Sequence, residues 1–526
     1  MNTPISAAFF FRVLLIQLML SAGGMSAQAP GSDPAPPGGG VPAASGEGAA
    51  VGIPATAVPV RGGKPSVLRV SVTNQAWDFI RPWGKRPPFS RRAVGTVLKG
   101  GRVLVTGELV ANANYVELET PDGGSKMPAT VEVVDYEANL ALLKAEDPKF
   151  MEQFAPLDLA PAVVGDSVSA WQLESTGTVL ATPSALTTVE VGRYPLDDSL
   201  LLVYRMTVPL QFRDASFTLP VVRTGKLVGL VMRYDNNTKS AELIPAPVIE
   251  HFLKDAADGN YDGFPKPGIS IANTRDPQFR RYVGLGEGVS GGVYITGVAK
   301  NGPADKAGME VGDVLLRIAG QDVDRDGNYL DPNYGKLLVS NLVTRFFLGD
   351  TMPCTVLRKG QRVELKLKMA RRSPGEFVVD PYVIDRAPRF YLLGGLLLHE
   401  LSRQYLKEWG AEWQKKAPEE FLQIEREQEK LFPGGGRKVV ILSGVLPSAA
   451  TIGYENLQHL VVRQVNGVPM NRLSELPDAL AKAQDGMHKI EFDGEPGCIY
   501  LDAQAVAEGD KALQRNYRIP LLYRLE

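Results

Sequence analysis

Between residues 67 and 232 the chain breaks into short apolar runs closed off by glycine- and asparagine-rich turns. Residues 67–72 alternate, and 93–98, 102–106, 115–118 and 129–134 follow at close spacing, with further runs through 230–232. Successive side chains of a strand face opposite sides, so runs of this length and spacing suit strands better than helices. Many short strands separated by turns specify a β-barrel or a sandwich. A helix over 247–255 closes the unit, and Asp258-Gly259-Asn260 breaks it. The first folded domain is therefore expected over 65–260.

What precedes it differs in kind. Arg12, an apolar run over 13–20 and a small-residue stretch over 21–29 form the layout of a cleaved export signal, with a run too short to span a bilayer. Residues 30–63 hold 7 Pro, 9 Gly and 7 Ala with no aromatic. Such a stretch cannot bury enough surface to offset chain entropy, so 30–64 is expected to be a disordered tether. Two further units follow, over 264–372 and 376–526. In the last, 418–431 reads as a helix with Phe421, Ile424 and Leu431 on one face. Residues 390–401 read as a buried helix, too short to cross a membrane.

Charge narrows the function. Lys plus Arg is 57 and Asp plus Glu is 59, a net charge of -2, which argues against a nucleic-acid partner. The two cysteines, Cys354 and Cys498, exclude a disulfide-stapled scaffold and a cysteine-rich zinc module; they read as two thiols or one pair. No cofactor and no metal are expected.

The segment Asn301-Gly302-Pro303-Ala304-Asp305-Lys306-Ala307-Gly308-Met309-Glu310-Val311-Gly312-Asp313-Val314-Leu315 resembles the core string of a bacterial-type PDZ domain. A PDZ domain after a β-rich domain resembles the Deg/HtrA family of trypsin-like serine proteases. Asn139-Leu140-Ala141-Leu142-Leu143-Lys144 is similar to that family's Asp-Leu-Ala-Leu-Leu-Lys string. Leu219-Pro220-Val221-Val222 with Gly225-Lys226-Leu227 is similar to the strand after its nucleophile. Ile452-Gly453-Tyr454-Glu455, Asn466-Gly467 and Tyr517-Arg518-Ile519-Pro520 resemble the divergent second PDZ domain of plant-type Deg proteins. The resemblance covers 65–526. It implies a mainly β chain with α+β modules: a trypsin-like double β-barrel, a PDZ domain, and a PDZ-like C-terminal domain with extra helices. It also implies a homo-oligomer.

A protease of this kind needs a serine nucleophile, a histidine base and an aspartate that orients the histidine. Carried over position by position, the histidine falls on Glu108, the aspartate on Asn139 and the serine on Phe217, with Ser216 one step away as a fallback nucleophile. The four histidines, His251, His399, His459 and His488, all lie beyond the first domain's catalytic strings. A glutamate carboxylate is a weak base toward a serine hydroxyl. Phe217, Thr218 and Leu219 replace the small residues that let backbone N–H groups converge on an oxyanion. The expectation is a pseudoprotease. An enzyme built around Ser216, activated by Glu108 or a lysine such as Lys226, stays open as an alternative.

PDZ domains bind peptides by strand addition, with backbone N–H groups holding a terminal carboxylate. The family's carboxylate loop falls on Lys266, Gly268, Ile269, Ser270 and Ile271, with Pro267 removing one N–H. Lys266 adds a charge that attracts a carboxylate. The groove's other wall is predicted as a helix over 336–348. Asp322, Asp324 and Asp326 open like a calcium loop but lack the twelfth-position Glu, so they read as a solvated acidic turn. Trp77, Phe79, Trp83 and Phe89 read either as a subunit contact or as a barrel cap. The expected function is an exported, periplasmic or extracellular binder of peptides or unfolded segments, a scaffold or chaperone-like factor with no membrane span after signal removal. An assembly subunit without a peptide ligand is the third reading.

Overall fold

The computed structural model describes residues 57–60, 62–196, 199–210, 218–286, 288–433 and 435–526. The expected export signal and most of the tract over 30–64 lie outside the described residues. The end of that tract already belongs to a sheet: β1 (Val58–Pro59) pairs with Leu180 and Ala181.

β2 (Val67–Asn74), β3 (Phe89–Leu98), β4 (Arg102–Val105), β5 (Ala113–Glu119), β6 (Lys126–Asp135) and β7 (Leu140–Ala145) close into a barrel in the order β2-β3-β4-β7-β6-β5. The apolar run Leu140–Leu143 of β7 has a plain cause, because both faces are covered there, while Lys144 beyond it is exposed. Ala141, Leu143 and Ala145 fill the first barrel, while Leu140 and Leu142 point into the neighbouring core.

That core belongs to β8 (Asp158–Leu159), β9 (Ser167–Leu173), β10 (Val179–Arg193), β11 (Leu200–Thr207), β12 (Pro220–Arg223), β13 (Lys226–Asp235) and β14 (Ser240–Pro245). The sheet runs β1-β10-β11-β14-β13-β12-β9, and β9 also pairs with β10, which curls it into a second barrel. The trypsin-like double β-barrel is thus present. The helix Ala246–Asp255 covers the second barrel with Val248, Ile249 and Phe252.

The middle unit has β15 (Ile269–Ala272), β16 (Val293–Val298), β17 (Val314–Ile318), β18 (Gln321–Asp322), β19 (Asn328–Asp331), β20 (Gly335–Leu338), β21 (Thr351–Arg358) and β22 (Gln361–Lys368). Its sheet runs β15-β16-β17-β21-β22, with β18 on β17 and β19–β20 as a separate hairpin. The helix predicted over 336–348 is mostly absent: β20 takes its start, and the helix Ser340–Val343 is one turn long. The hairpin turn wins because Asp331 accepts the N–H groups of Asn333 (2.9 Å) and Tyr334 (3.1 Å), and Gly335 takes φ 72°. This unit shares one continuous core with the second barrel. Tyr204 and Tyr334 join across it through their hydroxyls at 2.8 Å.

The last unit has β23 (Phe390–Leu393), β24 (Leu396–Glu400), β25 (Val440–Val445), β26 (Leu460–Val465), β27 (Val468–Pro469), β28 (Met487–Phe492), β29 (Cys498–Asp502) and β30 (Tyr523–Arg524). Its order is β29-β28-β26-β25-β24-β23-β30, with β27 on β26. The buried helix expected over 390–401 is instead the hairpin β23–β24, turned at Gly394-Gly395. The expected helix is present as Glu419–Leu431 and buries Phe421, Leu422 and Ile424, but Leu431 at its last turn is exposed and does not share that face. Cys354 and Cys498 are both free thiols; burial pushes the Cys354 thiol up to about 12. Among the described residues no helix is long and apolar enough to cross a membrane.

Candidate functional site

The cleft between the barrels is set by the chain leaving β4. Thr106 stays extended, and the helix Gly107–Val110 starts at once. Thr106 Oγ1 lies 3.2 Å from Thr218 Oγ1, both buried, so one hydroxyl bond joins the two barrels at the cleft floor. Glu108 sits at the open end of this turn. Its backbone N–H donates to Asn139 Oδ1 at 2.8 Å. Its carboxylate lies 3.6 Å from Arg91 Nη1, and Arg91 also donates to the Glu108 carbonyl at 3.0 Å. Asn139 is fully buried at φ 53°, a conformation asparagine tolerates. Its Nδ2 has no hydrogen-bond partner among the described residues. Ser216 and Phe217 lie outside the described residues. The structure therefore brings Glu108 and Asn139 together, but as a backbone-capping pair and not as a base with its orienting acid.

The histidines serve elsewhere. His251, on the helix Ala246–Asp255, is stacked between Phe264 (4.3 Å) and Phe347 (4.1 Å). Burial, with Lys254 adding, pushes it down to about 4. His399 is buried on β24 and held down at about 3 by burial. Burial also lowers His459 and His488.

The predicted carboxylate loop leads into β15, which is an edge strand of its sheet. Gly268 takes φ 74°, and a Cβ there would stand 3.2 Å from the Ala299 methyl. Ser270 and Ile271 are exposed, and Ile269 packs partly against the core. Two of the loop's donors are already committed or missing: Lys266 N–H donates to Ala370 O at 3.1 Å, and Pro267 has none. The Lys266 ammonium lies 2.9 Å from Glu137 Oε2, and Arg371 lies 2.9 Å from Glu137 Oε1. Burial alone would raise the buried Glu137 carboxyl; Lys266 and Arg371 outweigh it and hold the group below the ordinary value. Glu137 and Arg371 were not visible in the sequence pattern, since they meet the loop only through the fold.

The acidic turn is occupied by protein groups. Asp324 accepts N–H groups from Asp326 and Asn328, each at 2.8 Å, and pairs with Lys336 at 2.7 Å. Asp326 pairs with Arg275, and Asp322 with Arg317 at 2.9 Å. The aromatic segment neither caps a barrel nor projects as a free surface. Phe79 is buried among Val378, Leu401 and Tyr405, and Trp83 lies 6.2 Å from Phe390. Arg524 lies 4.5 Å over Trp77 and donates to Pro82 O at 3.0 Å. These aromatics hold the β2–β3 connection to the C-terminal unit of the same chain, while Phe89 stays exposed.

Residues 379–522 and residues 294–331 each match the family described as PDZ domain. Protease Do-like 2, chloroplastic, of Arabidopsis thaliana is 24% identical over 463 residues, covering 86% of this chain and 74% of that protein. Protease Do-like 4, mitochondrial, of the same plant is 22% identical over 459 residues, covering 86% and 84%. The chain is similar to Deg/HtrA proteases along most of its length and carries two PDZ matches. The HtrA-type protease AlgW with decapeptide aligns over 59% of this chain and 97% of its own at 20% identity, with a TM-score of 0.45, too low to add to the case.

In this chain the connection between β6 and β7, which carries Asn139, is the meeting point of all three units. Asp135 accepts the N–H groups of Glu137 (2.6 Å) and Ala138 (2.9 Å) and is bonded by the Tyr261 hydroxyl. Tyr136 bonds Asp385, and Asp385 and Asn112 exchange bonds of 2.6 and 3.1 Å.

Proposed function

We propose that this Deg/HtrA-like chain is an exported binder of peptides or unfolded segments that does not hydrolyse them. One observation carries the reading: the first domain's catalytic strings contain no histidine, and the expected position is Glu108, paired with Arg91. Without an imidazole no group takes the serine proton and returns it to the leaving amine. The Thr106–Thr218 hydroxyl bond and the capping role of Asn139 favour a cleft that serves stability. Binding is assigned to the outer edge of β15, which pairs with β16 on its other side, where Ile269, Ser270 and Ile271 after Gly268 offer a partly apolar surface to an extended chain. The partners on this reading are unfolded segments, in a scaffold or chaperone-like role within a homo-oligomer.

The test is fluorescence anisotropy with a labelled strand-forming peptide. Saturable binding is expected, and Gly268→Trp should abolish it, because the indole meets Ala299 and blocks the edge. A second reading has its own support. The shared core and the Tyr204–Tyr334 bond weld the PDZ unit to the second barrel, which suits an assembly subunit without a ligand. Stable oligomers with no saturable binding would favour it.

A further inference from the structure

We infer that the β15 site takes internal extended segments rather than free C-termini, and that Glu137, a residue of the first barrel, sets this preference. The inference rests on the peptide-binding reading above and names the class of chain it would accept. A PDZ loop that selects C-termini needs donors and positive charge aimed at a carboxylate. Here that supply is depleted three times over. The Lys266 N–H is spent on Ala370 O. Pro267 brings no N–H at all. The Lys266 ammonium, the loop's own cation, is held 2.9 Å from Glu137.

Glu137 is a strong competitor for that ammonium. Its side chain is 7% exposed, and its two oxygens are divided between Lys266 and Arg371. Glu137 stands between the cations Lys266 and Arg371, and Asp135, its carboxyl pushed up by burial, faces the same Arg371. A peptide carboxylate arriving at the loop would add a negative charge beside a buried one. It would also have to draw the half-exposed Lys266 away from Glu137, which would leave that buried carboxylate to Arg371 alone. An internal segment meets neither obstacle. It adds to the β15 edge through its backbone and brings no charge, while Ile269 and Ile271 face its alternate side chains.

The experiment uses one fluorescein-labelled ten-residue peptide of alternating valine and threonine in two forms, ending in a free carboxylate or in a carboxamide. Both are titrated into the full chain by anisotropy. The two affinities are expected to agree within about twofold in the wild type. In Glu137→Gln the ammonium loses this carboxylate partner, and the free acid should then bind about fivefold tighter than the amide. A wild-type preference for the free acid of about tenfold or more would overturn the inference. So would an acid-to-amide ratio left unchanged in folded Glu137→Gln. The wild-type comparison decides even if the variant does not fold. Failure of both peptides to bind any form counts against the peptide-binding reading itself, and this inference falls with it.

Discussion

His251 shows how a titratable side chain can be kept for packing. It lies between two phenylalanine rings and is held at about 4, well below its ordinary 6.5. The sign follows from proton linkage. Between those values the unfolded chain binds the proton and the folded chain does not, so stability falls as pH drops from about 6.5 toward about 4. With allowance for solvent screening, the loss is on the order of 2 kcal/mol. His251→Phe keeps the stack and removes the titration. Urea unfolding near neutral pH and at about pH 4.5 should show a smaller acid loss in the variant; equal losses would contradict the assignment. The histidine count was legible from the sequence alone, because an absent residue type needs no fold to be noticed. Glu137 was not, because Arg371 reaches it across 234 positions and only burial makes the pair matter.

At the scale of elements, alternation was reliable where one face is wet, and continuous apolar runs were ambiguous. β2 alternates and was read correctly. The run from Phe390 to Leu401 reads as a helix from sequence and is a hairpin in the fold, since periodicity cannot separate a buried helix from a buried hairpin. The decisive signal was Gly394-Gly395. Gly395 takes φ 122°, and a Cβ there would stand 2.4 Å from Leu446 O. Gly395→Ala must therefore displace backbone, and a loss of about 3 kcal/mol is expected from urea unfolding. A loss below about 0.5 kcal/mol would show that the turn is not constrained as described. The segment over 336–348 failed for a related reason. Its apolar residues serve a hairpin and a single helical turn, held by the bond from Arg345 to Asp331 across the loop.

At the scale of the molecule, the order of units was legible from motif strings, and their union was not. The β2–β3 connection reaches the C-terminal unit through Phe79 and Trp83, and the β6–β7 connection meets both PDZ-type units through Tyr136 and Glu137. Their side chains are spent on joining domains, consistent with a molecule whose barrels act as a frame for binding. The most direct measurement is release of fragments from an unfolded protein such as casein by the purified chain, run beside Ser216→Ala. Neither form is expected to cleave above the rate without protein. Cleavage by the parent that Ser216→Ala removes would contradict the account, and would mean that an active site has been rebuilt around Ser216 without a histidine.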